Sequence, residues 1–237
     1  MGFTDKVALI AGGTGGLGRA VSVAFLRAGA RVAVTYRKQE EFAQLQSAAG
    51  SMVPALTGQA VDITNEPELR SALDNILQKH TRIDILVNAV GAYAGGLPLW
   101  ETAANVWDEM FQLNLYSGVV LARTIVPIML TQSSGCIVNV ASKAAADHAA
   151  GAAAYVASKA AAVAMMDSLA EDLRGSGVRV NSVLPSIIDT RANRQAMPNA
   201  DFSKWPKPDD IARVILFLCS EDASLIHGGS IPVYGTW

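Results

Sequence analysis

Charge of one sign is what this sequence most plainly lacks: 19 lysines and arginines stand against 21 aspartates and glutamates in 237 residues, a formal net charge of −2. The basic residues form no run, so electrostatics gives no case for nucleic acid or an anionic membrane as a partner. A small molecule is the expected partner. There are only two cysteines, Cys136 and Cys219, each in an apolar segment (GCIVNVA, ILFLCS). That argues against a disulfide framework and suits buried thiols in a reducing cytoplasm. Histidine is also scarce. His80, His148 and His227 lie far apart with no carboxylate or cysteine at a ligand spacing, so no metal centre is expected and the three read as surface or loop residues. No GxSxG elbow occurs and no pattern offers Ser142 a histidine partner, which speaks against a hydrolase. The opening MGFTDKVALIAGG has neither a basic region nor a long apolar one, so no secretory signal is expected. The most apolar region, residues 144–170, is broken by Asp147, His148, Lys159 and Asp167, which argues against a membrane span.

What the sequence does have is a composition that is 51% hydrophobic and 17% charged, enough for one sizeable domain over residues 1–237. Val7–Ala11 (VALIA) is an unbroken apolar run that stops at glycines, as a strand buried on both faces does. The turn GGTGGLG then opens a helical pattern that ends at Gly29, a natural residue just past a helix end. Its glycines allow close backbone approach to a pyrophosphate, whose charge the helix-start N–H groups would meet. Further strands are expected at residues 31–35, 59–62, 83–88, 135–141, 178–184 and 230–233. Helices are expected at 38–49, from Asn65 with Glu68 at the capping-box position, from Thr102 through Asn114, through Tyr155, and at 209–220 behind Pro208. Alternation of this kind gives βαβ units, hence a parallel sheet with helices on both faces and ligands at the carboxyl ends of the strands.

Chemistry concentrates in residues 142–159, SKAAADHAAGAAAYVASK. Tyr155 and Lys159 are four apart and share one helix face, so the ammonium can bias the phenol toward its anion. Ser142, at a strand end, offers a hydroxyl to hold a substrate oxygen where Tyr155 can protonate it. Read singly, the pair suits an amphipathic helix edge, Ser142 a strand-end cap, and Asn114 a buried amide bracing a helix.

With these residues in view the chain resembles the short-chain dehydrogenase/reductase family over nearly its whole length. Gly12–Gly18 looks like TGxxxGxG with Ala11 for threonine, and NAVG from Asn88 resembles NNAG with Ala89 and Val90 substituted. Pro185 to Thr190 resembles PGxxxT with Ser186 for glycine. Asn114, Ser142, Tyr155 and Lys159 match the catalytic tetrad. The resemblance implies a single doubly wound (Rossmann) α/β domain with a seven-stranded parallel sheet. It implies hydride transfer between a nicotinamide cofactor and a carbonyl, with Tyr155 as proton donor, Ser142 orienting the oxygen, Lys159 lowering the phenol pKa, and Asn114 holding a water. Cofactor contacts are implied for Gly12, Thr14, Gly16, Leu17, Gly18, Tyr36, Arg37, Asp62, Ile63, Asn88, Ala89, Gly91, Tyr155, Lys159, Pro185, Ile188 and Thr190.

At the end of the second strand, where an aspartate would repel a 2′-phosphate, the chain has Tyr36 and then Arg37, so NADP is expected over NAD. Glu40 and Glu41 are expected to face solvent. Residues 189–205, DTRANRQAMPNADFSKW, and the loop GAYAGG are similar to stretches of quinonoid dihydropteridine reductases. These pieces suggest Tyr93, Asn193, Arg194, Met197 and Trp205 as a flat substrate wall. A lid packed on the core is the other reading of the segment. The expected activity is therefore NADPH-dependent carbonyl reduction, with quinonoid pteridine reduction or a catalytically silent NADP(H)-binding sensor as alternatives. Small residues on several sides of the Tyr155 helix suggest a homodimer or homotetramer.

Overall fold

The computed structural model describes residues 2–235. The chain runs β1 (Val7–Ala11), α1 (Gly16–Arg27), β2 (Arg31–Tyr36), α2 (Gln39–Ala49), β3 (Leu56–Ala60), α3 (Glu66–His80), β4 (Ile85–Asn88) and α4 (Ala104–Phe111). It continues through α5 (Ser117–Gln132), β5 (Gly135–Val140), α6 (Ala153–Asp172), β6 (Val178–Pro185), α7 (Arg191–Ala196), α8 (Pro208–Cys219) and β7 (Gly229–Val233). The strands form one seven-stranded sheet in the order β3-β2-β1-β4-β5-β6-β7, every neighbouring pair parallel. This is a doubly wound, Rossmann-type α/β domain. The chain steps outward from β1 to β3 and then returns to place β4 on the other side of β1. A crevice therefore opens at the carboxyl ends of β1 and β4, where such sheets bind ligands.

Alternation along β1 shows why its sequence is apolar without a break. Ala8 and Ile10 enter one core layer with Phe25, Ile211 and Ile215, while Leu9 and Ala11 enter the other with Ile76, Leu121 and Ile125. Both faces are covered, so neither tolerates a polar residue. The run 104–132 is long and apolar enough to cross a membrane by length and composition. Leu121, Ile125 and Met129 on it are fully buried in the sheet-facing layer, as in a core helix.

Several expected boundaries move. The third strand spans Leu56–Ala60 and not 59–62, because it is a half-exposed edge strand with no apolar run to announce it. Gly58 within it lies under the Phe42 ring, where any side chain would collide. The fourth strand starts at Ile85, since Asp84 ahead of it is spent on the Val7 N–H at 2.9 Å. Thr102 does not cap the helix that leads to Asn114. Its hydroxyl donates to the Pro98 carbonyl and Ala103 takes the cap position. Asn65 does cap α3, yet the Glu68 carboxylate accepts from the Asp62 N–H instead of closing the box on Asn65 N–H. Two histidines are bonded parts of the fold: His80, at the end of α3, is not a surface or loop residue, while His227 is a half-buried loop residue. His80 is buried beside Thr57, and His227 bridges the Val180 N–H and the Ala170 carbonyl. The thiols are free, Cys136 buried and Cys219 half-buried.

Candidate active site

The glycine turn is built by steric exclusion. Gly12 has φ +71°, and a Cβ there would press on Val90 at 3.0 Å. A Cβ on Gly18 would strike the Gly12 carbonyl, so α1 leaves the turn as tightly as it does only without that atom. Side chains then lock the loop from three directions. Thr35 accepts from the Gly12 N–H at 3.1 Å, Ser22 donates to the Gly13 and Gly18 carbonyls, and Thr14 donates to Glu41 at 3.2 Å. That last bond corrects the expectation that Glu41 simply faces solvent: its side chain turns back from the first turn of α2 onto the loop. Leu17 packs into the core beneath.

Across the crevice, Asn88 closes β4 and bridges to Asn139 on β5 at 3.1 Å while accepting from the Val90 N–H at 3.2 Å. One asparagine thus holds β4 to β5 although Ala89 and Val90 replace the commoner residues of that motif. Gly91 follows at a pinch point. A Cβ on it would lie 2.8 Å from the Asn114 Oδ1 and 2.9 Å from the Lys159 Nζ, so both polar groups converge on a place only glycine leaves open.

Asn114 sits in a π-helical turn, Gln112–Tyr116, between α4 and α5. The widened turn directs its amide inward, where Oδ1 accepts from the Ala92 N–H at 2.9 Å and Nδ2 donates to the Ala92 carbonyl and to Ser158 Oγ at 3.0 Å. Ser158 in turn donates to the Tyr155 carbonyl at 2.8 Å. Ser158 escaped the sequence reading. Its signal was a hydroxyl three residues after Tyr155 on an alanine-rich helix, and it is fully buried.

Ser142 leaves β5 and accepts from the Ala144 N–H at 3.2 Å, so the strand-end cap is real. The same hydroxyl lies near enough to the Tyr155 phenol to favour its anion. Burial pushes the Tyr155 phenol above its ordinary value, the Ser142 hydroxyl pulls it down, and Tyr93 adds to the rise. Lys159 is buried and its Nζ donates to the Val140 carbonyl at 3.1 Å, and burial lowers its pKa to about 8. The net shift of the Tyr155 phenol is therefore upward, whatever Lys159 contributes one helical turn away. Desolvation of the phenol dominates, and the lysine charge is itself weakened by the same burial.

Tyr93, 69% exposed, stands edge-on to the Tyr155 ring with centroids 4.9 Å apart. The other residues of the expected wall are occupied elsewhere. Arg194 pairs with Asp189, at 2.8 Å through Nη2, and lies over Phe202; Trp205 packs on Phe202; and Asn193 donates to the Ile188 carbonyl at 2.8 Å. Met197 ends α7 half-buried. The segment braces itself, and none of residues 189–205 is buried in the core. Thr190 caps α7 and reaches the glycine turn, since a Cβ on Gly16 would meet its methyl at 2.9 Å. Pro185 closes β6 opposite Val233, and Ser186, where glycine is usual, donates to the Tyr234 carbonyl at 2.8 Å.

At the far side, Tyr36 stacks on Phe42 with centroids 4.7 Å apart and donates to Gln39 at 2.7 Å, while Arg37 is exposed. Asp62 is held below its ordinary pKa mainly by the Thr64 N–H and hydroxyl, and Ile63 beside it is buried.

The chain is similar to known proteins over nearly its whole length. The chain is 30% identical to the 3-oxoacyl-acyl-carrier-protein reductase FabG of Thermotoga maritima, over 99% of this chain and 98% of the relative. It is 33% identical to the D-threitol dehydrogenase of Mycolicibacterium smegmatis, over 97% and 92%. The solved structure of ElxO with NADP bound superposes with a TM-score of 0.91 at 25% identity, covering 97% of each chain. Residues 6–201 match the family model described as short chain dehydrogenase, and the chain belongs to that family of NAD(P)-dependent oxidoreductases.

Proposed function

We propose that this protein is an NADPH-dependent reductase that converts a carbonyl to an alcohol, with Tyr155 as the proton donor. The observation that carries the reading is the Tyr155 phenol within the influence of the Ser142 hydroxyl and one helical turn from the buried Lys159, whose Nζ donates to the Val140 carbonyl at the carboxyl edge of the sheet.

The residues present fit a dinucleotide. The first turn of α1 follows Gly15, which offers no capping side chain, and contains no acid, so its N–H groups are available to a pyrophosphate. Gly12, Gly16, Leu17 and Gly18 would hold that group, Asp62 and Ile63 the adenine side, and Asn88, Ala89, Gly91, Pro185, Ile188 and Thr190 the nicotinamide side. When bound, the nicotinamide supplies the hydride at the substrate carbon. The chain itself handles the oxygen. Ser142 holds it by a hydrogen bond, and Tyr155, kept neutral because burial raises its pKa, gives up the proton. Lys159 supplies a positive charge one helical turn away that favours the phenolate left behind. Asn114, braced by Ala92 and Ser158, keeps the path behind Lys159 polar. Preference for NADP is supported by exposed Arg37 where a carboxylate would exclude it, and by the NADP bound in ElxO.

Tyr93 beside Tyr155 favours a second reading for the substrate, a quinonoid pteridine or other flat ring stacked at the mouth. Following NADPH oxidation against 3-oxoacyl thioesters, small ketones and aldehydes, quinones and quinonoid dihydropterin separates the readings. Turnover of carbonyls is the expected result, and activity confined to the quinonoid pterin would replace it. Tight NADPH binding without turnover of any compound would leave a cofactor sensor.

A further inference from the structure

The start of α2 carries four charges in a row of five residues, Arg37, Lys38, Glu40 and Glu41. Acids in a first helical turn are favourable near the positive end of the helix dipole, and that accounts for an acid at Glu40 or Glu41. It does not account for where the Glu41 side chain goes. One oxygen, Oε2, accepts from the Thr14 hydroxyl in the glycine turn at 3.2 Å, 27 residues away in sequence, and the other, Oε1, pairs with Lys38 Nζ at 3.6 Å. Thr14 is 6% exposed, so this hydroxyl is fixed within the turn and not a mobile surface group.

A hydroxyl anchored in a glycine turn and an ammonium at the end of the second strand are suitable donors for a phosphate monoester. Here a carboxylate of the chain draws on both. We infer that Glu41 is an internal stand-in for the 2′-phosphate of NADP(H), and that it tunes the choice between NADPH and NADH by competing for Thr14 and Lys38. The inference rests on the reading that the end of β2 meets the adenosine ribose. With the phosphorylated cofactor, Glu41 must release its two partners and then sits near a like charge. A ribose with free hydroxyls has the opposite effect, because those hydroxyls can donate to a carboxylate. Glu41 therefore lowers a preference for NADPH that Arg37 and Lys38 raise.

The test is direct binding of NADPH and NADH, followed by calorimetry or nucleotide fluorescence, to the wild type, Glu41→Gln and Lys38→Met. Glu41→Gln should shift the ratio of the two dissociation constants toward NADPH by about two- to fivefold, the range of a partly exposed charge pair. Lys38→Met should shift it the other way, and both shifts should shrink in high salt. An unchanged ratio, or an equal change for both cofactors, would overturn the inference and leave Glu41 as a brace for the glycine turn. The wild-type ratio and its response to Arg37→Ala test the NADPH reading separately. No response there together with a Glu41→Gln shift would sink that reading and keep the carboxylate's role.

Discussion

A phenol that must give up a proton near neutral pH has to be protonated first, and burial secures that for Tyr155. Tyr155→Phe keeps the ring packed against Tyr93 and removes only the acid. It should leave cofactor affinity nearly unchanged and lower kcat by about 10²–10⁴-fold; retention of most of the activity would show that another group protonates the oxygen. Lys159 illustrates the opposite cost. Its folded value of about 8 lies below the ordinary ~10.5, so the unfolded chain binds this proton more tightly than the folded one. The resulting penalty is full below about pH 8 and fades as pH rises toward ~10.5. Lys159→Met should therefore abolish activity yet stabilise the protein by about 1–3 kcal/mol at neutral pH, the gain being partly offset by loss of the bond to Val140. The gain should disappear in denaturant melts above about pH 10, and a variant less stable than wild type at pH 7 would show that the Val140 bond outweighs the desolvation.

At the scale of elements, what could be read from sequence was whatever burial had written into it. VALIA shows itself because both faces of β1 are covered, and Pro208 and Gly29 mark helix ends by backbone geometry that few other residues satisfy. β3 was shifted because an edge strand needs no apolar run, and Gly58 within it is the floor for Phe42. The catalytic candidates were legible as a set because Ser142, Tyr155 and Lys159 lie within 18 residues of one another in sequence. The brace behind them was not. The π turn that aims Asn114, the Ser158 link and the Glu41 reach to Thr14 are all contacts made across elements, and no local pattern encodes them. The segment 189–205 meets the glycine turn through Thr190, which lies against Gly16. Its inner pairing of Arg194 with Asp189 and Phe202 was not legible, since a charge, an acid and an aromatic in one loop have many possible partners.

For the molecule as a whole, the small residues of α6 were read as a surface needing two covers, the sheet and a second subunit. α4 supplies part of the second cover from within the chain. Ala154, Ala162, Met166 and Ala170 are buried, while Ala164 remains exposed. Large apolar groups nevertheless stay in water on and beside the 104–132 run: Trp100 is 81% exposed, Tyr116 52% and Leu130 44%. Isolated exposed apolar residues are ordinary, but several spread along one helical run favour association, and a two-fold axis lets the same run of two copies cover each other. The protein should therefore self-associate through this face, as a homodimer or a homotetramer. Light scattering at micromolar concentration should give a multiple of 24.9 kDa. Replacing Tyr116 and Leu130 with aspartate, both being too exposed to matter to the monomer core, should reduce that mass with little change in cofactor binding. A wild-type mass equal to the monomer would remove the argument, and a double variant with an unchanged multimer would move the interface elsewhere.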